Sequence, residues 1–288
     1  MIKNICFWLK NSRLFSLPMT LLSWLVIFVY SLKLGGNVLN GVLALVGISF
    51  AHLATNLFDD YVDYKNLPEN SQKCKCAYIK DGSATINDVL KVVVVYLVIA
   101  SGIGLVLFFR CGFPVIILAM IGGIIALIYA KLSQRGLSEL AVGTAFGPLL
   151  FEGVYFVMTG RFSWTVFVMS IAVVMFTIGL MYVHTLLDFE GDMCAHKKTL
   201  VCRIGNKNIA LKGAFVVYGL GYLFTLILAV MLKNYYLLLT FGLLPLVFRM
   251  YNYLKTYTCG GEVSEFYFRL LQARNLMVCY SLLITLFL

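Results

Sequence analysis

Charge is what this chain has least of. Only 12% of its 288 residues are Asp, Glu, Lys or Arg, while 61% are hydrophobic. Soluble domains carry roughly 25% charge, so a water-soluble globular fold is excluded and a polytopic membrane protein is expected. Cysteine chemistry is missing as well. The eight cysteines, at 6, 74, 76, 111, 194, 202, 259 and 279, form no CxxC pair and no metal-site spacing. Cys74-x-Cys76 reads as two free thiols in a reducing loop. No Pro/Ser-rich linker or low-complexity tract interrupts the chain, so residues 1–288 read as one domain. No cleavable signal peptide is expected, because Met1 to Ser12 carries Lys3 and Lys10 and leads into an apolar run long enough to span.

Hydropathy predicts an all-α bundle of nine transmembrane segments, with cores near 15–32, 39–58, 89–109, 112–130, 138–158, 163–186, 210–232, 235–254 and 272–288. Residues 256–270 leave room for a short interfacial helix. With the N-terminus inside, 19 Lys and Arg fall on the inner side and only four on the outer: Lys33, Arg110, Arg161 and Lys233. The inner set includes Arg249, Lys255, Arg269 and Arg274, taken as flanks of the loop after segment eight. The positive-inside rule then makes the N-terminus cytoplasmic. Orientation and anionic lipid account for much of the net charge of +10, and no nucleic-acid partner is implied. Gly122-Gly123 and Gly219-x-Gly221 are expected to allow close helix packing.

Acids are rare, and they are not scattered. Six of the 13 lie in two stretches, Asn56-Leu-Phe-Asp59-Asp60-Tyr-Val-Asp63 and His184-Thr-Leu-Leu-Asp188-Phe-Glu190-Gly-Asp192. Each ends a hydrophobic segment, the second and the sixth, and each is followed by a lysine-bearing loop, which suggests a weak internal duplication. On a helix, 56, 60 and 63 share one face with Asp59 at its edge. Asp188 and Asp192 are one turn apart, with His184 a turn earlier. Facing helices of this kind would set at least five carboxylates against one another, a repulsion that a hard divalent cation relieves. Mg²⁺ binds one or two carboxylates together with substrate phosphates. Asn56 adds an amide. Lys73, Lys75, Lys80, Lys197, Lys198 and Arg203 supply positive charge, which points to a metal–diphosphate ligand rather than an ion path. An apolar wall beside it suits a prenyl diphosphate. Tyr61, Tyr64, Tyr129 and Tyr182 are candidates to steady an allylic cation.

Asn56-x3-Asp60-x2-Asp63 and Asp188-x3-Asp192 resemble the paired Asp-rich motifs of the UbiA-type membrane prenyltransferase superfamily. Lys198-Thr199-Leu200-Val201 through Gly205 is similar to the stretch that follows the second motif there, and Lys80-Asp81-Gly82 to the basic turn after the first. Arg13 to Pro18, Arg135 to Glu139, Phe146-Gly147-Pro148 and Gly153 to Gly160 resemble the 1,4-dihydroxy-2-naphthoate polyprenyltransferase branch of menaquinone biosynthesis. The resemblance runs from about residue 13 to residue 205. It implies nine helices around a central cavity and a bacterial inner (plasma) membrane. It also implies Mg²⁺ and diphosphate held by Asp60, Asp63, Asp188 and Asp192, with Asn56 and Asp59 assisting. Lys80 and Lys198 would contact phosphate, and Tyr129, Arg135 and His184 would contact substrate. The partners would be a polyprenyl diphosphate and an aromatic acceptor that loses its carboxylate. His184 stands where the family usually has Asn, and Leu187 where Arg is common.

Other readings remain at this point: an acceptor of another kind (hydroxybenzoate, haem, a chlorin or a sugar phosphate), an ion or proton transporter, or a membrane scaffold. Glu152, mid-segment in an apolar run, is expected to face the interior. Glu139 is expected to cap or to pair with Arg135.

Overall fold

The computed structural model describes residues 5–66, 76–194, 198–256 and 263–288. Its regular structure is all helix, with no strand among the described residues. In chain order the helices are α1 (Ile5–Asn11), α2 (Leu17–Lys33), α3 (Val38–Asn66), α4 (Ala77–Lys80), α5 (Ile86–Cys111), α6 (Pro114–Gln134) and α7 (Ser138–Thr144). They continue with α8 (Leu150–Thr159), α9 (Trp164–Leu187), α10 (Phe189–Cys194), α11 (Leu200–Ile204), α12 (Lys207–Leu232), α13 (Leu244–Lys255) and α14 (Val263–Phe287). Short 3-10 segments lead into α2 (Leu14–Ser16) and α13 (Tyr235–Leu243), and a π segment (Ala145–Leu149) joins α7 to α8.

Among the described residues nine segments are long and apolar enough to cross a bilayer, and they match the nine expected from hydropathy. The last one differs at its start. Helix α14 runs unbroken from Val263, so residues 263–270 form no separate interfacial helix, and Arg269 and Arg274 lie inside the Phe266–Phe287 span. Two arginines, Gln272 and Asn275 depress the local hydropathy there, and this moves the apparent start of the segment to 272.

Lipid offers no hydrophobic drive between helices, so close packing and side-chain hydrogen bonds must hold the bundle. α3 packs along α5, α5 along α6, α9 along α12, and α14 returns to α2, closing a ring; α8 lies against both α2 and α3. α9 is the central helix, with 67% of its span buried against 11% for α6, which lines the cavity as well as facing outward. Gly179 and Gly221 let α9 and α12 approach: a Cβ on Gly179 would lie 2.5 Å from the Tyr218 ring, and one on Gly221 2.8 Å from Phe176. Gly219 and Gly123 meet nothing within 4 Å, so the packing role expected of both pairs falls on Gly221 and on Gly122, whose Cβ would meet Leu149 at 3.4 Å. Phe176 then stacks on Tyr280 of α14, whose hydroxyl meets Thr225 of α12 at 2.5 Å. The kink at Gly147-Pro148 has an identifiable cause, since Pro148 cannot donate and Gly147 leaves helical backbone angles (φ −93°, ψ −112°).

The ends of α3 and α9 that carry the acids lie at one end of the bundle, beside the start of α14; His184 meets Phe266 edge-on, centroids 5.7 Å apart. The turn expected at Asp81-Gly82-Ser83 is present, with Gly82 at φ +74° and Asp81 Oδ1 accepting the Ser83 N–H at 2.8 Å.

Candidate active site

The two Asp-rich ends open on one cavity of about 2500 Å³. Asn56, Asp59, Asp60 and Asp63 line it from α3, and His184, Asp188 and Asp192 from α9 and α10. Tyr129, Arg135 and Lys198 line it as well. Lys80 does not; from the same turn Tyr78 reaches the cavity instead. Lys73, Lys75 and Lys197 lie outside the described residues.

The α3 end is nearly dry. Asp59, Asp60 and Asp63 are 4%, 2% and 2% exposed, and buried carboxylates are costly unless paired. Arg13 supplies the pairing. Its Nη1 lies 3.2 Å from Asp59 Oδ2, and its Nη2 donates to Asp60 Oδ1. The Tyr78 hydroxyl donates to Asp60 Oδ2 at 3.2 Å, and Gln134 Nε2 to Asp63 Oδ1 at 3.3 Å. Burial acts against the Arg13 charge, but the Asp60 and Asp59 carboxylates outweigh it and hold the guanidinium above its ordinary pKa. Burial, then Asp60, raises the Tyr78 hydroxyl well above its ordinary pKa, so it remains a donor. Asn56 spends both amide hydrogens, on Ser12 O (2.9 Å) and Ser16 Oγ (3.1 Å), which leaves its carbonyl oxygen to face the cavity.

The α9 end is built differently. Asp188 caps the helix and is half-buried, and His184 Nδ1 stands 3.5 Å from its Oδ2. Asp192, one turn on, is 4% exposed. The chain beyond it docks on the α6–α7 turn: Gly136, at φ +67°, sits so close that a Cβ there would overlap the Lys198 carbonyl oxygen. Arg203 donates to the Arg135 carbonyl across the same contact.

His52 and Arg13 are site residues that sequence reasoning missed. His52 lies one turn before Asn56 on the same face of α3 and lines the cavity, with Nε2 3.1 Å from Ser16 Oγ and Nδ1 2.8 Å from Thr20 Oγ1. Its offset of four from Asn56 was the available signal. Arg13 was marked only as the start of the Arg13–Pro18 resemblance, and nothing local tied it to Asp60, which it reaches across 47 residues of chain from a left-handed turn (φ 59°, ψ 50°).

Other expectations need correction. Of the four tyrosines only Tyr129 reaches the cavity. Tyr182 donates to Ala210 O at 2.7 Å, Tyr61 stacks on Phe58 and accepts from Lys65, and Tyr64 packs against the small core shared by α1, α3, α4 and α5. Glu152 does not line the cavity; its Oε2 accepts the Ser163 N–H at 3.2 Å where α9 begins. Glu139 is buried and accepts Ser138 Oγ at 2.9 Å, with no ion pair to Arg135 among the described residues.

Five carboxylates and an amide carbonyl are hard oxygen donors suited to Mg²⁺. Among the described residues no three acids, His or Cys converge as a ready-made metal cage. Donors divided between two walls suit an ion that also takes ligand phosphates and water.

The UbiA prenyltransferase family profile matches residues 16–271, and the chain belongs to that family. It is therefore an integral, multi-pass membrane enzyme that transfers prenyl groups. A 2-carboxy-1,4-naphthoquinone phytyltransferase of Synechocystis sp. is 31% identical over 77 residues, which covers 27% of this chain and a quarter (25%) of that relative. A digeranylgeranylglyceryl phosphate synthase structure superposes with a TM-score of 0.70 at 16% identity, covering 97% of this chain and 96% of the other. A UbiA homologue from Archaeoglobus fulgidus, bound to GPP and Mg²⁺, gives 0.66 at 12% identity, covering 96% and 99%. Family membership sets aside the transporter and scaffold readings.

Proposed function

We propose that this enzyme transfers a polyprenyl group from polyprenyl diphosphate, with Mg²⁺, to 1,4-dihydroxy-2-naphthoate, whose carboxylate is lost. The observation that carries the reading is the facing of two Asp-rich helix ends across one cavity with a mostly apolar wall. The partial match to a naphthoquinone phytyltransferase supports the acceptor, and the A. fulgidus homologue bound to GPP and Mg²⁺ supports the donor and the ion.

Asp60, Asp63, Asp188 and Asp192 would hold Mg²⁺, with Asn56 and Asp59 assisting, and the ion when bound neutralises the departing diphosphate. Lys198 takes a share of the phosphate charge. Arg13 and Tyr78 fix the Asp60 carboxylate in place. The donor C–O bond breaks with its electron pair on the diphosphate, and a ring pair forms the new C–C bond. The carboxylate leaves as CO₂, returning its pair to the ring, so no ring proton has to be removed. Tyr129 faces the reacting region and can steady positive charge on the allylic carbon. The positive-inside count supports a cytoplasmic N-terminus and cytoplasmic Asp-rich ends, and the resemblance to the menaquinone branch supports a bacterial inner membrane.

The test is mass spectrometry of membranes given labelled prenyl diphosphate, Mg²⁺ and a panel of acceptors. The expected product is prenylated naphthalenediol plus CO₂, abolished by EDTA. Product from a different acceptor alone overturns the acceptor assignment, and EDTA-resistant turnover overturns the role of the metal.

A further inference from the structure

Among the described residues, Arg274 is a charge within the membrane span of the cavity wall to which the proposed reaction gives no task. It lies within the last span, and membrane-embedded arginines face a cavity, water or a partner. Tyr267, Leu270, Leu271, Arg274 and Met277 share one face of α14, and all five line the cavity. An arginine snorkelling to lipid would lie off that face. No hydrogen bond or ion pair joins Arg274 to another residue among those described.

Its depth narrows the ligand. Phe266 marks the level of His184, and Arg274 follows eight residues later, about 12 Å further into the bundle at 1.5 Å per residue. Helical side chains tilt toward the N-terminus, so the guanidinium leans back toward the Asp-rich end without reaching its level. Leu270 and Met277 stand within a helical turn of it on the same cavity face, and α9 adds Leu180 and Met181 to the cavity wall. Thioethers and leucines suit a flat aromatic ring. One planar guanidinium suits one carboxylate, bound bidentately. A diphosphate, with more charge, is matched by the acids' metal and Lys198 nearer the mouth. A lipid phosphate belongs at the bilayer surface rather than this far inside.

From this we infer that Arg274 is the anion subsite of the acceptor pocket: it binds the carboxylate of an aromatic acid and orients the ring below the diphosphate. The assignment rests on the proposed aromatic acceptor and deepens it. It makes Arg274 a specificity residue, selecting acidic over neutral aromatics, while the carboxylate remains held until the new C–C bond has formed.

Equilibrium binding of 1-hydroxy-2-naphthoate and of 1-naphthol to the full-length protein in lipid nanodiscs tests it without donor or turnover. The wild type should bind the naphthoate more tightly, and R274Q should weaken it by about tenfold to a hundredfold. R274Q should change 1-naphthol binding less than about twofold, which also reports that the variant is folded, and R274K should fall between for the naphthoate. Equal naphthoate binding by wild type and R274Q overturns the assignment even where transfer is intact. So does an R274Q variant that raises only the KM for prenyl diphosphate, since that places the donor's charge at Arg274. Arginine-dependent naphthoate binding without prenyl transfer supports the subsite and strikes the proposed reaction instead.

Discussion

The two acidic helix ends look alike as strings of letters and are built by different means. The α3 end is finished by the protein itself: Arg13 holds Asp59 and Asp60, Tyr78 also holds Asp60, Gln134 holds Asp63, and all three acids are buried. The α9 end is half-open. Its first acid stands 3.5 Å from a histidine, and the segment after it is held by docking on Gly136 and Arg135. One end is a rigid anchor, stabilised by buried charge pairs. The other is half-open, and the segment after it docks through the close Gly136–Lys198 backbone contact and the Arg203–Arg135 hydrogen bond.

That contrast can be broken from either side. At the level of chemistry both ends should matter equally: D60A and D192A should each reduce prenyl transfer by roughly 10³-fold, the scale of losing an electrostatic partner to a leaving group. A labelled-donor assay checks this, and full activity in either variant would remove that end from the site. G136A should come next, with about a 10²-fold loss of transfer, since its Cβ must push the Lys198 backbone aside and small displacements at a reacting centre carry that cost. Gly82 has the same left-handed backbone (φ +74°) but open space around it, so G82A separates backbone strain from displacement and should leave transfer nearly intact.

Stability should split the two ends. D60N leaves Arg13 with Asp59 alone and should destabilise by on the order of 3 kcal/mol. D188N, at a half-exposed pair, should cost under about 1 kcal/mol. Denaturation in detergent compares them, and equal losses would mean the α3 end is not the anchor. The smallest effect belongs to E152Q, which weakens a hydrogen bond at the start of α9 far from the acids. About 1 kcal/mol of stability should go, with transfer unchanged.

Much of the fold was legible in the sequence because membranes enforce simple rules. Nine spans follow from hydropathy, and offsets of four and seven alone put Asn56, Asp60 and Asp63 on one face of a helix. What escaped was long-range or averaged away. Arg13 looks like a topology charge until the fold brings it to Asp60. Arg274 looks like a loop flank because a hydropathy window averages over all faces of a helix, so one arginine on the cavity side dims an otherwise apolar span. Lys80 and Tyr78 are two residues apart on one short turn, and motif position alone could not say which of them points inward. Glu152 in an apolar run suggested an interior acid, yet the start of the next helix, eleven residues on, offered it an N–H.

The α5 and α6 wall of the cavity, with Ala100, Gly104, Ala119, Gly122 and Ala126, is as aliphatic as the bilayer beside it. Under the proposed function, a long polyprenyl tail would reach that wall by lateral diffusion in the leaflet. Its availability is therefore a mole fraction among lipids rather than a molarity in water, and turnover belongs to the membrane's composition as much as to the enzyme.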